Sequence, residues 1–366
     1  MMRVTKQFTL LLILLTVCSS VLWANEETTS KGPEAPEKFN TGKLIFDHIK
    51  DGYVWHIAKV GHTHISIPLP VILYSTQSGL HVFMSSKFHH GTTSYDGFEI
   101  AKEGKYEGKV VEVLSDGSEL KPWDLSITKN VTSLLISIAL ILSVFLTIAK
   151  RYSDNYARAP KGIQSFLEPI ILFIRDDIAR PSLGNKHYEK FLPFLLTIFF
   201  FIFINNLLGL VPFFPGGANL TGNISVTLVL ALFTFTITTI NGTKDYWMHI
   251  INAPGIPWWL KLPFPLMPIV EILGVFTKPF VLTIRLFANI TAGHIVALAF
   301  YCLIFIFAEF SSVASVGVSI ISVSFTIFMS ILEMLVAFIQ AYVFTLLSAI
   351  YFSMALEKHE KHAESH

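Results

Sequence analysis

Between Phe191 and Thr243 the chain carries no Asp, Glu, Lys, Arg or His. One helix crosses a bilayer with roughly 20 apolar residues, so this window is too long for a single span. Pro212-Phe213-Phe214-Pro215-Gly216-Gly217 divides it into two, about 191–211 and 223–243. Asn130 to Ala149 is likewise uncharged, and Phe310 to Leu356 holds one charge, Glu333. With 52% hydrophobic and 14% charged residues, the chain falls in the membrane class. A net charge of +1 offers no footing for a nucleic acid. Cys18 and Cys302, both in apolar runs, cannot build a disulfide framework or a thiolate metal site, and neither a metal nor a cofactor is expected.

Met1 to Ala24 reads as a secretory signal, with Arg3 and Lys6 as its basic start and Phe8 to Val17 as its apolar stretch. The alternative is an uncleaved first helix, for which the apolar run is short. Residues 25–128 change character: Gly, Pro, Lys, Glu and most of the histidines gather here. Tyr53-Val54-Trp55-His56-Ile57 and Lys109-Val110-Val111-Glu112-Val113 alternate with a period of two, and Asp116-Gly117 is a turn signal. This predicts a small strand-rich exported (periplasmic) domain. His62 with His64, and His89 with His90, invite a metal reading; no nearby Cys/His/Asp cluster completes a site, so solvated or packed histidines are the plainer reading.

The first span, Asn130 to Ala149, ends at Lys150-Arg151. The loop to Lys190 carries eight basic residues, which marks it as cytoplasmic. Within it, Ile163 to Ile178 has apolar residues at helical spacing and is expected along the membrane surface. Lys244 to Lys261 returns to the cytoplasm, with Trp247, Trp258 and Trp259 as interface anchors. Beyond Phe280 there is no proline, and Ser311, Ser312 and Gly317 offer the obvious place to turn, leaving helices over about 265–307 and 313–356. Each would reach roughly 60 Å, twice the hydrocarbon thickness, so an upright pair is not expected. The fold class is therefore an all-α polytopic membrane protein. About five membrane-embedded helices follow signal removal, the last two long and strongly tilted, after a strand-rich exported domain. The divisions are 1–24, 25–128, a membrane domain over 129–357, and a cytoplasmic tail, 358–366.

Charge inside the apolar helices is the informative signal, since each such residue costs at least ~2.5–3.5 kcal/mol at the bilayer centre. The first long helix holds Glu271, Lys278, Arg285 and His294; the second holds Glu333 and Gln340. Seven residues turn a helix by two turns less about 20°, so Glu271, Lys278 and Arg285 share a face, and Asn289, four further on, joins it. Arginine keeps its charge at any working pH, so Arg285 cannot relay protons but can hold a fixed positive potential. His294 and Glu333 can titrate and hand protons on. The plainer readings are a packing pair of Arg285 with Glu271 or another acid, a packed His294, a snorkelling Lys278, and Asn206 and Asn223 satisfying loop backbone.

The run from Lys278-Pro-Phe-Val-Leu-Thr-Ile-Arg285-Leu-Phe-Ala-Asn289 to Gly293-His294 resembles the signature of subunit a of F-type ATP synthases. Gln340-Ala-Tyr-Val-Phe through Ile350-Tyr-Phe-Ser-Met-Ala is similar to that family's C-terminal segment, and Asn205-Asn206-Leu-Leu-Gly-Leu-Val-Pro212 matches a further motif. The resemblance covers about residues 130 to 357. It implies a proton-translocating stator subunit of the bacterial inner membrane. Its partners would be a ring of small carboxylate-bearing c subunits, the subunit b stalk, the other ATP synthase subunits and the lipid bilayer. Two half-channels would meet the ring. By the same resemblance Arg285 matches the essential barrier and release charge, Asn289 and Gln340 match polar residues beside it, and Glu271, His294 and Glu333 match half-channel positions.

His294 and Glu333 are exchanged relative to many bacterial relatives, as in the mitochondrial subunit, which suggests a coupled pair. Residues 25–128 are longer than the family's usual N-terminus. The chain has no GxxxxGK[ST] loop, so ATP chemistry would sit on other subunits. A secondary transporter is the rival class, but no internal repeat is visible. A sensor would leave its helices free of charge.

Overall fold

The computed structural model describes residues 42, 45 and 49–357, apart from 61–62, 92, 102–103, 115–117, 155–161, 212–215, 252–265 and 311. The signal expectation for Met1 to Ala24, the Asp116-Gly117 turn, His62, Pro212 to Pro215, and Trp258 and Trp259 lie outside the described residues.

The alternating segments form strands. β1 (Val54–Val60) and β2 (Thr63–Pro68) make a hairpin. β3 (Pro70–Ser75) and β4 (Gly79–Met84) make another. Next come β5 (Phe98–Ile100), β6 (Val110–Val113), β7 (Glu119–Leu120) and β8 (Trp123–Asp124), giving sheets ordered β4-β3-β8 and β5-β6-β7. One face of these strands closes on Tyr53, Val71, Leu73, Phe88, Phe98 and Val110. Polar ties cross that core. The Ser75 hydroxyl donates to the buried Glu112 carboxylate, and the Tyr53 hydroxyl donates to Asp124 Oδ2 at 2.5 Å. Burial and the adjoining Asp124 carboxylate hold the Tyr53 phenol well above its usual range. His89 is exposed at φ 41° on the turn Ser85–Gly91.

α1 (Lys129–Asp154) follows β8 after four residues. Then come α2 (Ile163–Phe173), a π-helical turn (Ile174–Ala179) and α3 (Arg180–Leu210). The helix expected over Ile163 to Ile178 exists, but it does not end there. Ile174 and Ile178 are fully buried in the helical core, and the helix runs on into α3. The helical geometry breaks instead at Gly184, whose φ 69°, ψ 168° are essentially closed to side-chain-bearing residues. No atom outside the local chain approaches within 4 Å of a Cβ built there, so the cost of a side chain is conformational. Gly184→Ala is accordingly expected to destabilise the chain by about 1–3 kcal/mol, read as a lower thermal midpoint in detergent.

α4 (Ile224–Ile240) is capped by the Asn223 side chain, which accepts from Ser225 N at 3.0 Å. A 109° bend leads into α5 (Lys244–Ile251). The bend is held by Thr243, whose N–H donates to Ala355 O at 2.9 Å near the end of the last helix. α6 (Leu266–Phe310) and α7 (Ser312–Leu356) each run 45 residues, about 67 Å. α6 ends at Phe310 and α7 begins at Ser312, so Gly317 lies inside α7. Among the described residues four helices are long and apolar enough to cross a membrane, or five if α4 and α5 count as one bent span. α3, α6 and α7 share the core through Leu195, Phe199, Leu286, Ile290, Ala341 and Phe344.

Candidate functional site

α6 and α7 run side by side, and small residues decide what meets between them. His294 Nδ1 lies 3.7 Å from Glu333 Oε1, with side-chain exposures of 18% and 12%. Gly293 allows this: a Cβ there would sit 2.9 Å from Glu333 Oε1. Gly209 of α3 packs behind the ring, where a Cβ would be in ordinary contact, 3.5 Å from His294 Nε2. The pair opens on a cavity of about 170 Å³ that Asn206 and Asn289 also line. That is room for several waters beside polar groups that can hold them. Asn206, 3% exposed, is a tie between elements: its Oδ1 accepts from Thr221 at 2.5 Å, and its Nδ2 donates to Ala337 O of α7 at 3.3 Å. So Asn223 satisfies its loop as the plainer reading had it, whereas Asn206 reaches across to α7.

A second cavity, about 360 Å³, lies towards the start of α6 and the end of α7. Asp245 and His249 of α5, Glu271 and Lys278 of α6, and Glu357 just past α7 line it. Lys278 reaches towards α7, with Nζ 3.8 Å from Met354 Sδ and 5.5 Å from the centre of the Tyr351 ring.

Arg285 stands on α6 between the two cavities, about 10 Å along the axis from Lys278 and 13 Å from His294. Its side chain is exposed on the protein surface and makes no hydrogen bond or ion pair among the described residues. The Arg285–Glu271 packing pair is therefore absent, because fourteen residues of helix separate them by about 21 Å. Asn289 is exposed one turn further on, and Gln340 is 8% exposed within α7.

The structure thus joins His294, Glu333 and Asn289 in one cavity, puts Glu271 in another, and leaves Arg285 and Gln340 outside both. Sequence reasoning missed Gly293, Asp245 and His249. The glycine declares itself only through what a Cβ would strike. Asp245 and His249, four apart, line one cavity with Glu271 beyond the bend that leads into α5.

Helices long enough for a bilayer, with titratable groups around two cavities and an exposed arginine between them, define a multi-pass membrane protein that carries charge within its helices. The chain belongs to the ATP synthase A chain family, whose model matches residues 131–353. A second model, described as a domain of unknown function, matches residues 44–127. ATP synthase subunit a 2 of Chlorobaculum tepidum is 46% identical over 257 residues, covering 68% of this chain and 67% of the relative. ATP synthase subunit a of Chloroherpeton thalassium is 42% identical over 252 residues, covering 67% and 71%. That of Anaeromyxobacter sp. is 34% identical over 347 residues, covering 92% of this chain and 75% of the relative.

Proposed function

We propose that this chain is the proton-translocating stator subunit of a bacterial F-type ATP synthase, seated in the inner membrane against a rotating ring of carboxylate-bearing c subunits and tied to the subunit b stalk. The observation that carries this reading is the order along α6: a cavity with Glu271 and Lys278, then the unpaired Arg285, then a cavity with His294 and Glu333. The cavities serve as the water-filled ends of two half-channels. Residues 25–128 face the periplasm, and the tail beyond Glu357 faces the cytoplasm.

The physical logic is electrostatic. A proton passing directly from one cavity to the other would have to approach a permanent cation. At 4 Å and an effective dielectric of 20 that repulsion is about 4 kcal/mol. A carboxylate on the ring reaching the same arginine is stabilised in its charged form by a similar amount and gives up its proton there. Protons therefore cross by boarding the ring, and each elementary charge brings about 2.3 kcal/mol per 100 mV. Asn289 and Gln340 stand beside the arginine as uncharged polar groups. His294 with Glu333 passes protons in one half-channel, and Glu271 in the other.

ATP-driven acidification of inverted membrane vesicles tests the reading. Pumping is expected without Na⁺; pumping that appears only on adding Na⁺ overturns the proton assignment. Gly293→Ala is a finer test, because its Cβ must displace the Glu333 carboxylate. Proton pumping is expected to fall about tenfold or more, the cost of a roughly 1 Å misplacement at a working site. Unchanged pumping would remove Glu333 from the path.

A further inference from the structure

The strand-rich region carries an uncharged outer surface that its fold leaves uncovered. β4 turns Leu80, Val82 and Met84 outwards, at 64%, 63% and 42% exposure. Their direct partners across the ladder are Tyr74, Ile72 and Pro70 of β3, on the same face. Tyr74 in turn pairs with Trp123 of β8, and Leu125 N donates to Ile72 O at 2.9 Å, so Leu125 extends that row. Trp123 is 72% exposed and Leu125 65%. The result is a patch three strands wide whose named side chains are all uncharged. Such a surface marks a site of contact.

We propose that this sheet face rests on the lipid bilayer, in the leaflet on the side of the N-terminal domain, as an interfacial platform that holds the domain against the membrane.

Continuity with a membrane span supports the lipid surface as the occupant. β8 pairing continues through Ile127, whose N–H donates to Pro70 O at 3.0 Å, and α1 starts two residues later. Trp123 thus lies within about 20 Å of the start of a membrane helix, six residues at strand rise. The junction is tied down. Lys129 N donates to Gly52 O at 2.9 Å and Asn130 N to Asp51 Oδ1 at 3.0 Å, so the start of α1 is also tied to the segment that leads into β1.

Chemistry points the same way. A protein interface carries about one hydrogen bond per 100–200 Å². Here the side chains named offer only the Tyr74 hydroxyl and the Trp123 indole N–H, the two groups enriched at headgroup depth. None of these side chains is charged; Lys105, Glu107 and Lys109 stand on the β5–β6 turn, and exposed Lys121 lies two residues before Trp123.

Spin labels read this directly in the complete enzyme reconstituted in liposomes, with Cys18 and Cys302 replaced by alanine. A label at Val82→Cys is expected to be several-fold more accessible to oxygen than to a water-soluble nickel complex, relative to a label at Lys105→Cys. It should also be relaxed by nitroxide-bearing lipids. Leu80→Cys repeats the reading should Val82→Cys fail to assemble. Equal nickel access at 82 and 105 overturns the proposal. Poor access to both reagents without lipid relaxation also overturns it, since a protein would then cover the face. Neither outcome touches the proton-transfer reading.

Discussion

Arg285→Ala is expected to reduce coupled ATP synthesis in membrane vesicles to background while leaving assembly largely intact. The two halves of that expectation rest on different observations. Arg285 is exposed and forms no hydrogen bond or ion pair among the described residues, so removing it orphans no partner within the chain. A side chain of that kind contributes little to folding. A bare guanidinium on a membrane helix is nevertheless costly, and an anion from outside the chain would offset the cost. With alanine there, the repulsion that keeps the cavity around His294 and Glu333 apart from the cavity around Glu271 and Lys278 is gone. Passive proton conductance should rise as synthesis falls. Synthesis near the normal rate in an assembled Arg285→Ala enzyme would sink the proposed function. Failure to assemble would sink the claim that Arg285 does its work outside this chain.

The second large effect is expected from exchanging His294 and Glu333. His294 Nδ1 and Glu333 Oε1 are 3.7 Å apart. His294→Glu alone sets two carboxylates in one confined site, where they cannot both ionise. Glu333→His alone sets two imidazoles there and leaves no acid. The double exchange restores one acid and one imidazole at the same separation. It should retain clearly more ATP-driven pumping than either single variant, each of which is expected to lose tenfold or more. Free-energy losses that simply add in the double variant would show that the residues act independently, since contacting residues that work together give a non-additive term.

The membrane architecture was legible because it depends on one-dimensional quantities. Uncharged windows of fixed length mark spans, and the long helices expected over about 265–307 and 313–356 appear as Leu266–Phe310 and Ser312–Leu356. The end of the helix beginning at Ile163 was not legible. Its polar stretch around Arg175, Asp176 and Arg180 reads as a boundary, yet the helix continues because Ile174 and Ile178 find a core and the charges pair among themselves at the surface. Gly184 breaks it, and one glycine among 21 does not announce that it sits at φ 69°.

The candidate site divides in the same way. The sequence by itself determined that charges lie within apolar helices, that Glu271, Lys278, Arg285 and Asn289 share one face of α6, and that Arg285 cannot titrate. Helical periodicity and ordinary pKa values suffice for these, and both are local. Only the tertiary structure decided that His294 meets Glu333 and that Gly293 makes space for the carboxylate. It also decided that Asn206 ties Thr221 to Ala337 and that the 109° bend brings Asp245 and His249 to Glu271. Those contacts join elements as far apart as 131 residues, and their distances depend on how whole helices pack, which no local pattern of residue types encodes.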